Sequence, residues 1–121
     1  MENKEILRRA LTSLFEDYRG RDSEFMNYFS PDYHQWANGQ DTDLGGLIEH
    51  FDKLQEIRPD RKIEFIDIVS DGDIVFDQHV VTATLSETKK IQVDVFAKWI
   101  IRNGLIVRCE ELTRHRDQGP E

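Results

Sequence analysis

Three titratable side chains in the second half of the chain interrupt otherwise apolar strand faces, and two of them, His79 and Glu111, could handle a proton together. Asp77, His79 and Glu111 fall at odd positions of two runs, DIVFDQHVVTATLS and LIVRCEELTRH. The other odd positions there include Val75, Val81, Ala83, Leu85, Leu105, Val107 and Cys109. Alternation of period two puts such a set on one face of a strand. An ionisable group in an apolar layer is costly unless it is paired or lines a cavity. His79 beside Glu111 makes an acid/base couple, because a neighbouring carboxylate raises the pKa of a histidine. The run between them, KIQVDVFAKWIIR, is apolar at every odd position from Ile91 to Ile101 and carries Gln92, Asp94, Lys98 and Arg102 among the even ones. A single bulge exchanges inside and outside for everything beyond it. The series Ile63, Phe65, Ile66, Ile68 already changes phase. Asp94 and Lys98, which share a face with Phe96 and Ile100, therefore stand as pocket candidates alongside His79 and Glu111.

Each of these residues also has a purely structural reading. His79 can be an ordinary hydrogen-bonded histidine of a sheet, and Glu111 one end of an ion pair. Trp36 and Trp99 can be core filler, and His34 and His50 can pack at the surface. On the functional reading, Tyr33, His34, Trp36, His50 and Trp99 shape a cavity around the proton-handling groups. Cys109 is the only cysteine, which rules out an internal disulfide framework and a multi-cysteine zinc site. It reads as a small hydrophobe. No GxGxxG, Walker loop, HExxH or GxSxG is present, and the four histidines sit at no recognised metal spacing. No metal and no cofactor is expected.

Helices and strands must position these groups. Ile6, Leu7, Ala10, Leu11, Leu14, Phe15 and Tyr18 recur at helical spacing, with Asn3 as N-cap and Gly20 as the stop. Asp22 is placed to cap a second, short helix carrying Phe25, Met26 and Phe29 and closed by Pro31. The segment PDYHQWANGQD predicts a brief strand ending in a turn at Asn38-Gly39. A third helix follows, capped by Thr42 or Asp43 and running through Leu44, Leu47, Ile48, Phe51, Leu54 and Ile57 to Pro59. Gly45 and Gly46 in its first turn mark either a close approach of another backbone or a frayed end. From residue 61 the period becomes two. Four strand-like runs are separated at Asp71-Gly72, at Glu87-Thr88-Lys89 and at Asn103-Gly104, the last a two-residue hairpin signal. Three N-terminal helices followed by an antiparallel meander predict an α+β domain. Strands this long must twist and curl, and a curled sheet with helices across its concave face encloses a pocket.

Composition sets the outer bounds. The chain has 121 residues, 38% hydrophobic and 33% charged, with a formal net charge of -8. That length predicts one domain over residues 1–121, with a core from about 5 to 115. The acidity argues against nucleic-acid and anionic-membrane partners. No run is apolar for the ~18 residues that span a bilayer. The first residues, MENKEILRRALTSLFEDY, lack the apolar stretch of a signal peptide. A cytoplasmic location is the expectation.

The segments YFSPDYHQWANGQ, DLGGLIEHFDKLQEIRP, IEFIDIVSDGDIV and VDVFAKWIIRNGLIVRCEELTRH together resemble the nuclear transport factor 2-like superfamily, within it the SnoaL-like polyketide cyclase and ketosteroid isomerase branch. The resemblance covers about residues 5–115. It implies a cone-shaped α+β barrel, with three helices on a curved antiparallel sheet, one open pocket and a homodimer formed through the outer sheet face. It further implies a small hydrophobic molecule as partner and cofactor-free proton transfer next to a carbonyl, as an isomerase, cyclase or hydrolase. Asp94 or Glu111 is then the carboxylate and His79 its partner. The alternative is a non-enzymatic dimeric module that binds a ligand or a protein.

Overall fold

The computed structural model describes residues 1–116. Its elements run α1 (Asn3–Glu16), a single 3-10 turn (Glu24–Asn27), β1 (Phe29–Ala37), β2 (Gln40–Asp43) and α2 (Leu44–Ile57). The strands β3 (Arg61–Asp71), β4 (Ile74–Thr84), β5 (Lys90–Arg102) and β6 (Leu105–His115) follow. All six strands form one sheet, in the order β2-β1-β6-β5-β4-β3.

The meander β3-β4-β5-β6 is antiparallel throughout. The sheet as a whole is mixed, because β1 pairs parallel to β6. This corrects the expectation of a purely antiparallel sheet. The expected brief strand is in fact a hairpin, β1 and β2. Asn38 (φ 53°) and Gly39 (φ 91°) form its turn, and Asn103 (φ 52°) and Gly104 (φ 80°) form the turn between β5 and β6. Positive φ at both central residues gives the turn whose twist matches that of the strands it joins.

Two α-helices cover the sheet, where three helices were expected. The stretch Glu24–Asn27 makes one 3-10 turn, and Phe29 already belongs to β1. The five residues between the Ser23 bend and a strand that must pair with β6 leave no room for further turns. The start and stop of α1 also differ from expectation. Glu2 holds the N-cap position and the helix ends at Glu16 rather than at Gly20. The Asn3 side chain instead donates to the carbonyls of Gly72 and Ile101, tying α1 to the turns of the sheet. In α2 the cap is Asp43, whose carboxylate accepts from the Gly46 amide at 2.9 Å. A Cβ at Gly46 would run into the Thr42 hydroxyl, so what crowds this glycine is a side chain of β2 and not another backbone.

The apolar stripe of α1 is buried from Ile6 to Leu14, and it lies against β3 and β4, while α2 lies against β1 and β2. Phe15 and Phe51 meet edge to face at 5.1 Å between the two helices. Burying each such ring or Leu side chain stabilises the fold by about 1.5–3 kcal/mol. The phase change in β3 is a bulge between Phe65 and Asp67; Ile66 is the extra residue and is exposed. A second irregularity lies at Ile100/Ile101, where Ile101 pairs with Ile106. It brings Ile106 rather than Val107 into the core.

Candidate functional site

Register defines the inward face row by row. Val75, Trp99, Cys109 and Gln35 form one row, and Ile68, Asp77, Ala97, Glu111 and Ala37 the next. Phe65, His79, Val95 and Thr113 form a third. Between these rows and the two helices lies a cavity of about 760 Å³. Its walls include Phe15, Phe29, Tyr33, Phe51 and Trp99, and Glu111 reaches it from β6.

A buried polar network backs that wall. Asp77 accepts from Trp99 Nε1 at 2.7 Å and bonds His79 Nδ1 at 2.6 Å. Both side chains of the Asp77–His79 pair are almost wholly excluded from solvent. Phe15 and Phe65 flank the imidazole at 6.0 and 5.9 Å. Asp77 thus satisfies two donors that would otherwise be orphaned in the core, and it fixes the indole of Trp99 where it faces the cavity.

Among the described residues, Glu111 is the carboxylate that both meets the cavity and is withdrawn from water. Burial pushes its carboxyl above the usual value; the nearby His79 and the Cys109 thiol, which donates to Glu111 Oε1 at 3.7 Å, pull it part of the way back. The Tyr33 hydroxyl donates to Gln35 Oε1 at 2.9 Å, and burial holds its pKa well above normal, with Cys109 and Glu111 adding to the rise. Tyr33 therefore stays a proton donor. His50 lines the cavity from α2, and burial, then Lys53 and Arg61, depress its pKa.

The sequence candidates divide cleanly. Glu111, Tyr33, Trp99 and His50 meet at the cavity. His79 does not line it and acts on Glu111 from behind, through charge and through Asp77. Asp94 lies on the opposite sheet face, gripped by Arg114 at 2.9 Å and Arg116 at 3.0 Å, which hold its carboxyl below the usual range. Its bulge-dependent claim on the pocket fails because β5 keeps its phase through Val95 and Ala97. Trp36 and His34 are also corrections. Trp36 lines a groove on the outer face with Phe76, Phe96 and Leu112. His34 is exposed, its Nδ1 near the Asp32 carbonyl at 3.2 Å. Alternation explains both, since Tyr33, Gln35 and Ala37 point inward and the even residues of β1 cannot.

Three contributors escaped sequence reading. Gln35 follows from the parity of Tyr33. Asn38 joins β1 to β6 by exchanging hydrogen bonds with Thr113, at 2.8 and 3.0 Å; only the pairing of distant strands reveals it. Arg61 heads β3 at the far end of the cavity. Among the described residues, no group of three or more His, Cys, Asp or Glu side chains is disposed to hold a metal ion. No helix among them is long and apolar enough to cross a membrane.

Comparison with known proteins places this architecture. Residues 7–109 match the model of the SnoaL-like domain. A protein of Schizosaccharomyces pombe, named only as uncharacterised, is 25% identical over 112 residues, covering 93% of this chain and 86% of its own length. The structure of IdmH, a candidate polyketide cyclase of Streptomyces antibioticus, superposes with a TM-score of 0.70 at 20% identity, covering 86% of this chain and 88% of IdmH. An NTF2-like protein of unknown function from an Exiguobacterium species gives a TM-score of 0.74 at 15% identity, covering 90% of this chain and 98% of that one. At those identities the structures share the fold, the curved α+β cone of the nuclear transport factor 2-like superfamily. The chain belongs to the SnoaL-like domain family.

Proposed function

We propose that the chain binds a hydrophobic carbonyl compound in the cavity and moves a proton on the carbon next to the carbonyl, with Glu111 as the general base and acid. The observation that carries this reading is the Glu111 carboxyl, set in an aromatic cavity and raised in pKa by burial. A base of raised pKa has more drive to take a carbon-bound proton at neutral pH. In this scheme the Glu111 carboxylate removes the proton, the C–H electron pair forms the C=C bond of the enolate as the carbonyl π pair moves onto oxygen, and the Tyr33 hydroxyl turns from Gln35 to donate to that oxygen. In a ketone with a neighbouring C=C, returning the proton from Glu111 to the far carbon of the dienolate, as the electron pair flows back from oxygen, completes an isomerisation. Attack of the enolate carbon on a second carbonyl, with the proton passing to the new alkoxide, closes a ring. His79 and Asp77 serve as positioning residues, and Trp99, held by Asp77, packs on the ligand.

Exchange in deuterated water tests this without knowledge of the natural substrate. The protein is incubated with a panel of bicyclic ketones beginning with 2-tetralone, and deuterium uptake at the α-carbon is followed by NMR. Wild type accelerates uptake for at least one ketone, and Glu111→Gln lowers that rate by roughly 10²-fold or more while still binding it. Uptake at the buffer rate for the whole panel, or an unimpaired Glu111→Gln variant, refutes the scheme.

A second copy is the proposed partner on the outer face. Val69 pairs with Phe76 and Phe96 with Leu112 across neighbouring strands. All four are exposed, Val69 at 62% and Leu112 at 56%. A contiguous apolar patch of this kind marks an association surface, and it favours a dimer whether or not the cavity turns substrate over.

A further inference from the structure

The ionisable groups of the cavity are segregated along its length. Glu111 sits in the row of Asp77, Ala97 and Ala37. Arg61 pairs with Ala83, which pairs with Ile91, so six positions of β5, about 20 Å at ~3.3 Å each, separate its row from that of Ala97. Arg58 and Arg61 line the cavity together with His115, whose row is that of Val81 and Val93, one step from Arg61. Glu111 stands at one end and the two arginines at the other. The cationic end runs against the acidity of the chain as a whole, whose formal charge is -8.

Arg61 is the centre of that end, and it is 4% exposed. Its guanidinium donates to the Arg58 carbonyl at 2.8 Å, the Leu14 carbonyl at 3.4 Å and Gln55 Oε1 at 3.2 Å. Phe51 lies under it at 5.7 Å. The two carbonyls belong to the C-terminal turns of α2 and α1, whose dipoles hold a cation in place with partial charge only. No carboxylate among the described residues lies within ion-pair distance of it, and its Nε is buried without a hydrogen-bond partner. Buried cations ordinarily carry a paired carboxylate. Here the walls supply hydrogen bonds that fix the guanidinium and leave its charge for something inside the cavity.

We infer that the ligand is an elongated aromatic acid, its carboxylate received by Arg61 and Arg58 and its reactive carbonyl at the Glu111 end. This rests on the cavity being the ligand site proposed above and adds the class of ligand it selects. A carboxylate at the other end would face Glu111, so the charge pattern also sets the direction of binding.

A matched pair of probes tests the inference: 6-acetyl-2-naphthoate, with a ketone and a carboxylate at opposite ends, and its neutral methyl ester. Dissociation constants are measured by calorimetry at neutral pH. Wild type binds the acid at least about tenfold tighter than the ester, and the preference shrinks as salt is raised. Arg61→Met binds the ester as wild type does and loses the preference; Arg61→Lys keeps part of it. Because Arg61 also ties two helix ends, Arg58→Gln serves as the second variant, with the preference reduced and the melting temperature unchanged. Equal or tighter binding of the ester by wild type overturns the inference while leaving the cavity reading intact, as does a preference that survives in both Arg61→Met and Arg58→Gln. Failure of wild type to bind either probe overturns both.

Discussion

Replacing Asp77 with alanine removes the acceptor of two buried donors at once. His79 Nδ1 at 2.6 Å and Trp99 Nε1 at 2.7 Å both lose their partner, and neither side chain can turn to water from its place in the core. Each stranded donor costs roughly 1–3 kcal/mol, and two are stranded. The expected loss is therefore about 4 kcal/mol. Unfolding entropy is roughly 2.1 cal/mol/K per residue, or about 0.25 kcal/mol/K for 121 residues, so the melting temperature falls by about 16 °C. Asp77→Asn gives an informative contrast. Its amide oxygen still accepts from Trp99, and its NH₂ can donate to His79 Nδ1 if the imidazole carries its proton on Nε2. That variant loses only about 1–2 kcal/mol. Urea denaturation followed by tryptophan fluorescence and by circular dichroism measures both. An Asp77→Ala variant within about 1 kcal/mol of wild type, or an Asp77→Asn variant as damaged as Asp77→Ala, refutes the network as a determinant of stability.

The raised pKa of Glu111 makes a signed statement about stability. The folded protein holds this proton more tightly than the unfolded chain, whose carboxyl titrates near 4.5. Its contribution is complete below that pH and is lost as the pH rises through the folded value. Glu111→Gln, which mimics the protonated form, flattens this dependence and is more stable than wild type at pH 8, as denaturation curves at pH 4 and pH 8 will show. On the outer face, Phe96→Asp combined with Leu112→Asp yields a monomer by light scattering, with the cavity probes still bound; a mass equal to that of wild type removes the patch as an interface.

The parts of the fold that were legible in the sequence are those written in a local period. The stripe from Ile6 to Leu14 is buried as spaced, and the meander runs through the expected turns. The bulge at Ile66 also showed itself, because it breaks alternation in a strand otherwise of one phase. β2 stayed invisible, since QDTD carries no apolar residue and exists as a strand only by pairing with β1. The 3-10 turn passed for a helix because Phe25, Met26 and Phe29 have helical spacing; their burial is divided between the turn and β1.

At the site, the ambiguity of β5 was physical. With Phe96 and Ile100 on one face and Val95, Ala97 and Trp99 on the other, either face could have been the core. Only the rows of partners separate Glu111 from Asp94. For β1 the information was present in the chain. Strict alternation makes Tyr33 and Trp36 mutually exclusive as cavity residues, so a wall containing both was never available. Arg61 could not be recognised at all, because its acceptors are the ends of two helices, Leu14 and Arg58, that meet only in three dimensions.

The parallel seam between β1 and β6 carries a consequence for biosynthesis. Among the described residues, the strand of Tyr33 and Gln35 is flanked by the short β2 and by β6, which follows β3, β4 and β5 in the chain; Gln35 pairs with Cys109. Ring closure over so many intervening residues is slow and entropically unfavourable until the far partner exists. On a translating ribosome, then, the early helices can coil and β3 to β5 can zip while the aromatic side of the chamber still hangs open. The vessel is sealed only when its last stave emerges.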